Sequence, residues 1–505
     1  FEKLSALSGK TYGSTLPESG KPANEQEEID VAFRVIADHL RALCFSIADG
    51  IIPGNSGRNY VLRRILRRGI RYGRNLGFQK PFFHLLAPTL IRQMNAHFPE
   101  LKERDEFIVK TVLSEEESFN KTLDRGIDLF QKEVKNMESG HQLSGTFAFK
   151  LYDTYGFPLD LTELLARESG FSGDCNAFEE SMNEQRKRAR KARKEVQLTV
   201  QEETESSDAT EFVGYELENL LNFSSKSVDR IMYGNTTYLI FDKSPFYAEM
   251  GGQVGDSGMV TIDDQTLLIT NVVKDSRGRF LHALEAAPEN LNWKREACIL
   301  SVDLERRQAI QRHHTATHIL HWALRKVLGD HVRQAGSLVQ PTRLRFDFSH
   351  FEAVKPDAIA EIERLSNEKI LINDRLRSYQ VPFSDKPEDV IAFFGDKYGD
   401  IVRVVDLGGW SLELCAGTHV YSAGEIGSIR IIAESAISAG TRRMEAVAGL
   451  SAYQWTTRKV SQVQSLCHRF ACKPQDLVNR ITKMQIQAKE VEKRLRSLEQ
   501  QGQSE

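Results

Sequence analysis

Between residues 25 and 48, apolar side chains fall on one face of a helix. Ile29, Phe33, Ile36, Leu40, Leu43 and Ile47 are separated by 4, 3, 4, 3 and 4 positions, matching 3.6 residues per turn. Asn24 is the expected N-cap and Asp49-Gly50 the stop. The turn IIPGNSG leads to a second predicted helix, from about Arg58 to Leu76 and ending at Gly77. Val61, Leu62, Ile65, Leu66 and Ile70 are its expected buried side. Helical patterning continues to about residue 140.

From about residue 210 the pattern changes to β-rich alternation with Gly and Asp between runs: TTYLIFD, GMVTID and TLLITNVV. A small all-β module is expected over about 210–300. Residues from about 301 to 450 read as mixed α/β, with a helix around HHTATHILH and strands at RLRFDF, DIVRVVDL and GSIRIIAE. After Pro474, Leu477, Ile481, Met484, Ala488, Val491, Leu495 and Leu498 form a heptad run that ends with the chain. No internal repeat is visible. The expected fold class is a multidomain α + β chain. A helical domain (1–205) precedes a β-barrel-like module (206–305), a mixed α/β domain (306–452) and a C-terminal helix or coiled-coil start (453–505).

Composition agrees with several soluble domains. At roughly 100–200 residues per domain, 505 residues exceed one core, and 40% hydrophobic with 27% charged residues is ordinary for globular chains. Apolar runs fall short of the ~20 residues of a membrane span, and FEKLSALSGK has no signal-peptide core. The first residue is not Met, which raises the expectation of a fragment. Cys44, Cys175, Cys298, Cys415, Cys467 and Cys472 are scattered, which favours reduced thiols and a cytoplasmic setting.

A net charge of −3 hides a local asymmetry. The second helix carries Arg58, Arg63, Arg64, Arg67, Arg68, Arg71 and Arg74 with no acidic residue. Solvated faces usually mix signs, so seven arginines in a stretch that holds no acid favour a polyanion such as RNA. A second basic run, NEQRKRARKARKE (183–195), precedes the acidic linker EETESSDAT, where a boundary near 205 is expected.

HHTATHILH (313–321) holds four histidines in nine positions. Residues four apart project from one helical face, so His314 and His318 point the same way. Cys415 and His419 repeat that spacing. Three imidazoles and a thiolate suit tetrahedral Zn2+. Either pair alone is commonly incidental; it is the combination that points to metal. His313 is rotated about 100° from His314 and should face elsewhere. His321 shares the His314 face and competes with His419 as a ligand, although a packing role fits it better. The first site lacks the glutamate of His-Glu-x-x-His proteases; Thr315 stands there.

Seven ordered motifs now resemble the bacterial alanyl-tRNA synthetases from end to end. They are ADGIIPGNSGRNYVLRRILRRGIRYG, KLYDTYGFPLDLT, SPFYAEMGGQVGDSG, RHHTATHILHWALRKVLGDHVRQAGSLV, FGDKYGDIVRVVD, CAGTHV and SAGTRRMEAVAG. The resemblance implies a piece of such an enzyme. The part that activates alanine with ATP and Mg2+ would precede Phe1, and a C-terminal globular domain, through which oligomerisation is possible, would follow. Asn55 and Asp153 match positions that read a G·U wobble pair in the acceptor stem of tRNA(Ala). A wobble pair leaves the guanine amine facing the shallow RNA groove, where a carboxylate or amide can accept from it. Read without the resemblance, Asn55 is a turn residue and Asp153 a cap. The arginine helix (Arg58, Arg63, Arg64, Arg67, Arg68, Arg71) would supply phosphate contacts.

The resemblance further implies that His314, His318, Cys415 and His419 hold zinc in an editing domain, with Gln334 and Arg442 at editing positions. Editing is hydrolysis of Ser-tRNA(Ala) and Gly-tRNA(Ala). A pocket for alanine discriminates against glycine or serine by only about 1–3 kcal/mol, so a second site must remove errors. Thr317 is a candidate contact for the serine hydroxyl, with packing inside its helix as the alternative. Ala416 stands where many members of that family carry Gly and Met250 where a small residue is common, and no loss is expected from either. Two other readings stand beside this one: an RNA-binding module with structural zinc, and a free-standing editing factor.

Overall fold

The computed structural model describes residues 1–17, 22–54, 57–135, 142–155, 157, 159–173, 177–178, 182, 209–288, 293–392, 399–438 and 440–502. Asn55, the basic run 183–195, most of the linker that follows it and most of FGDKYGD lie outside these residues.

Helix α1 spans Glu25–Ala48, and the Asn24 side chain accepts the Glu27 N–H as its cap. All six residues of its apolar stripe are buried. Burying such side chains contributes about 1.5–3 kcal/mol each. They pack on α2 (Gly57–Asn75) and α3 (Asp105–Lys135) in one core with Leu62, Leu66, Ile70, Ile108 and Phe119.

The arginine helix departs from expectation. Val61 is half exposed, whereas Arg63, Arg67 and Arg71 are buried. Arg67 donates to Glu115 Oε1 of α3 through Nε (2.8 Å) and Nη2 (2.6 Å). Arg63 Nε lies 3.1 Å from the same oxygen. Arg74 pairs with Asp124, also on α3. The acids missing from the local sequence therefore come from a helix about 50 positions away. Arg58 and Arg68 are exposed, and Arg64 is half-buried against Tyr60.

Helix α4 (Gly145–Tyr155) carries Asp153 exposed near its C-terminus. The rings of Tyr152 on α4 and Tyr60 on α2 lie 6.5 Å apart. This contact joins α4 to α2.

The β-rich segment is built on a seven-stranded antiparallel sheet. Its strands are β1 (Phe223–Ser225), β2 (Ser227–Tyr233), β3 (Thr236–Phe241), β4 (Gly258–Ile262), β5 (Gln265–Lys274), β6 (Phe280–Leu284) and β7 (Cys298–Val302). Their order is β1-β7-β4-β5-β6-β3-β2. Only Lys226 separates β1 from β2, so the two edges of the sheet belong to one extended stretch and the sheet curls back on itself. Leu239, Phe241, Val260, Val272 and Leu300 fill the interior.

Helix α5 (Leu304–Leu328) follows directly, capped by Asp303. Arg307 on its first turns is fully buried, ion-paired with Asp256 and donating to the Gly214 and Pro245 carbonyls. It bolts the helix to the β-rich segment. Beyond α5, β8 (Gln334–Val339), β9 (Leu344–Ser349), β13 (Ile429–Ser438) and β14 (Thr441–Ala448) form a sheet in the order β8-β9-β14-β13. Helix α6 (Pro356–Ile372) packs with α5 over their common core. A second sheet, β10 (Leu376–Pro382), β11 (Ile401–Leu407) and β12 (Ser411–Leu414), carries the chain to Cys415. Helices α7 (Leu450–Arg469) and α8 (Leu477–Gly502) end the described chain. On α8 Leu477 is buried, while Met484, Val491 and Leu495 of the heptad stripe are exposed.

Candidate metal centre

His314 and His318 sit one turn apart on the buried side of α5. Cys415 and His419 share the spacing but not a helix: they belong to the irregular loop after β12. One potential ligand atom from each of the four residues lies within 4.8 Å of all the others. Cys415 Sγ is 3.4 Å from Nε2 of both His314 and His419. Gly417 permits the loop's approach, because a Cβ there would fall 1.9 Å from His314 Cε1. Tyr215 Oη donates to the Ala416 carbonyl (2.7 Å), and Arg403 Nη1 donates to those of Cys415 and Gly417 (3.0 Å each). Ala416 and Gly417 are thus gripped by their backbones.

Each imidazole has a Nδ1 partner outside the four. His314 Nδ1 meets Gln253 Oε1 at 2.7 Å, His419 Nδ1 meets Thr315 Oγ1 at 3.1 Å, and His318 Nδ1 faces Glu413 Oε2 at 3.5 Å. Such partners turn Nε2 toward a metal and fix ring orientation. Burial alone would raise the Cys415 thiol. The adjacent His314 and His419 imidazoles outweigh it and hold the thiol well below its usual range. Burial keeps His419 neutral, well below its ordinary value. Burial would also raise Glu413, yet His318 and His321 hold it low. A thiolate and a carboxylate, buried together with three imidazoles, form a donor and charge set suited to a dication.

The other candidates lie outside the four-residue cluster. His313 accepts the Ala448 N–H at Nε2 (3.0 Å), on a different side of α5. His321 places Nδ1 2.8 Å from Glu413 Oε1, beside the cluster and outside it. Thr317 donates to the His313 carbonyl (2.8 Å), a bond internal to its own helix. Gln334 on β8 and Arg442 on β14 both pair in register with Phe348 of β9. The Arg442 guanidinium binds Glu434 on β13 through both oxygens (2.5 and 2.7 Å).

Gln253 and Glu413 were not singled out from sequence. Glu413 lies two residues before Cys415 at the end of β12, and that period-two spacing was a readable signal. Gln253 comes from another segment, 61 positions before His314, and nothing local marks it.

Among the described residues no helix is long and apolar enough to cross a membrane. The family model for class II (A) tRNA synthetases matches residues 1–306. The model for the second additional domain of threonyl and alanyl tRNA synthetases matches 402–445, which includes Glu413, Cys415, His419 and Arg442. Alanine–tRNA ligase of Opitutus terrae is 46% identical over 99% of this chain and 56% of its own length. That of Methylacidiphilum infernorum is 45% identical over 90% and 48%, and that of Geobacillus kaustophilus 41% over 95% and 55%. The chain spans about half the length of these curated relatives. Motif order, two family models and this identity place it together with them: the chain belongs to the alanyl-tRNA synthetase family.

Proposed function

We propose that this chain carries the acceptor-stem-reading and editing parts of an alanyl-tRNA synthetase, hydrolysing Ser-tRNA(Ala) and Gly-tRNA(Ala). The division into 1–205, 206–305, 306–452 and 453–505 belongs to this reading. The observation that carries it is the convergence of His314, His318, Cys415 and His419, with a Nδ1 partner for every imidazole. These four residues would hold Zn2+, which when bound polarises water or the ester carbonyl.

This chain's own residues do the rest. Gln253, Thr315 and Glu413 hold the imidazoles in register. Tyr215 and Arg403 hold the 415–419 loop over α5. Gln334 and Arg442, flanking Phe348, complete the proposed editing set, with Glu434 keeping Arg442 in place. On the RNA side, Asn55 and Asp153 read the wobble pair of tRNA(Ala), and Arg58, Arg64 and Arg68 reach phosphates. Buried Arg63, Arg67 and Arg71 support that helix from within.

One feature favours a second reading. Four protein ligands fill a tetrahedral ion, as structural zinc sites do, whereas catalytic sites leave a position open. An RNA-binding module with structural zinc therefore stands beside the editing reading. Metal analysis of the purified chain, paired with deacylation of Ser-tRNA(Ala), separates them. Zinc near one per chain with turnover supports editing; zinc and tRNA binding without turnover selects the module; absence of zinc from a folded chain sinks both.

A further inference from the structure

Gln253 is fully buried, yet it belongs to the β-rich segment and reaches out of it. It follows Gly251 and Gly252, whose φ angles are +60° and +84°. A Cβ on Gly252 would fall 2.6 Å from the Ser337 carbonyl oxygen. The Gly252 carbonyl accepts the Val339 N–H at 2.7 Å, and Val254 N–H donates to the Val339 carbonyl at 3.1 Å. The loop is stitched to β8 on both sides of Gln253, which delivers its side chain to the ligands.

The contacts of that side chain admit one arrangement. The Thr418 backbone N–H, which can only donate, points at Gln253 Oε1 from 3.0 Å. Oε1 is therefore the carbonyl end of the amide, and Nε2 donates to Thr418 Oγ1 at 3.0 Å. Since Oε1 can only accept, His314 Nδ1, at 2.7 Å, must carry the proton. A neutral imidazole protonated at Nδ1 has its lone pair on Nε2, the atom 3.4 Å from Cys415 Sγ.

We infer that Gln253 is a positioning residue of the metal centre, selecting the His314 tautomer and tying the His314 ring to the loop that bears Cys415 and His419. The β-rich segment is then a working part of the centre. This rests on the metal reading under Proposed function, and the test keeps the two apart.

The experiment uses the full chain loaded with Co2+ in place of zinc, followed by visible absorption and chelator competition. Gln253→Met keeps volume and loses the acceptor. Gln253→Glu keeps the acceptor. Loss of a partner behind a ligating histidine typically weakens metal binding about 10–100-fold. Gln253→Met should weaken Co2+ binding in that range and shift the ligand-field bands, with Gln253→Glu recovering most of the affinity. A purely structural role would lower the melting temperature of both variants and leave the Co2+ affinity of the folded fraction unchanged; that result overturns the inference.

The wild-type chain offers a reading that needs no variant. Proton NMR of the Co2+ form should show a paramagnetically shifted, slowly exchanging ring N–H for His314. Co2+ bound to an imidazole with no such proton also overturns the inference. Failure of the wild-type chain to take up Co2+ or zinc removes the metal reading itself, and the inference with it.

Discussion

Glu413 Oε1 lies 2.8 Å from Nδ1 of His321, and both residues are buried beside the four-ligand cluster. The other carboxylate oxygen faces His318 at 3.5 Å. One acid thus spans two histidines of a single helix, only one of which is a candidate ligand. The arrangement separates His318 and His321 by role: the first turns toward Cys415 and His419, and the second anchors the acid. Glu413→Gln keeps the shape and removes the charge. We expect about 10-fold weaker zinc binding, read by chelator competition, and a loss of about 1–3 kcal/mol in urea unfolding of the metal-free chain. Unchanged zinc affinity would leave Glu413 with a packing role alone.

The pair of Arg67 and Glu115 leads to a different expectation. Removing one partner of a buried ion pair strands the other charge and costs about 3–5 kcal/mol. Glu115→Ala should destabilise the helical part by that amount, and Arg67→Ala comparably. Arg68 is exposed, and Arg68→Ala should change stability by less than about 0.5 kcal/mol while weakening tRNA binding and flattening its salt dependence. Denaturant melts and filter binding at two salt concentrations check both halves. Weakened RNA binding by a fully folded Arg67→Ala chain would contradict the division.

Those arginines also show where sequence reading stops. The helix itself was legible, because its apolar positions and its glycine stop are local. The partner of Arg67 was not, because it lies 48 positions away on another helix. The same limit holds at the candidate metal centre. The His314–His318 pair follows from helical geometry, whereas Cys415 and His419 meet it through a loop whose path depends on Gly417, Tyr215 and Arg403. Four-residue spacing picked out four side chains that converge, although Cys415 and His419 reach the cluster from a loop and not from a helix. Gln253 lay beyond reach, since its place depends on how the β-rich segment docks on β8.

Gly417 offers a sharp test of that loop path. A Cβ placed 1.9 Å from His314 Cε1 cannot be accommodated without moving the ring or the loop. Gly417→Ala should therefore sharply reduce retained zinc in a chain that still folds, judged by circular dichroism and metal analysis together. Ala416 is exposed and contributes its carbonyl to the Tyr215 hydroxyl. Ala416→Gly should leave metal content unchanged and stability within about 0.5 kcal/mol. Equal zinc retention by the two variants would mean that the loop takes another course.

A last expectation concerns acid, away from the candidate metal centre. His282 is fully buried in the β-rich segment, with Nδ1 3.0 Å from the Leu239 carbonyl and Nε2 2.7 Å from Ser244 Oγ. Burial pushes its pKa down to about 4 from the ordinary 6.5. Below pH 6.5 the unfolded chain takes up a proton that the folded chain refuses, so the unfolded state binds more protons and stability falls as the pH falls. The effect is absent above about pH 6.5, grows down to about pH 4 and levels off there. Its full size is roughly 3 kcal/mol. Urea unfolding of the β-rich segment at pH 7.5, 5.5 and 4.5, followed by its own spectroscopic signal, should show this slope. His282→Gln offers a donor and an acceptor without a titrating ring, so it should flatten the slope between pH 6.5 and 4 even if it lowers stability at pH 7.5. An unchanged acid slope in that variant would place the proton uptake on another group.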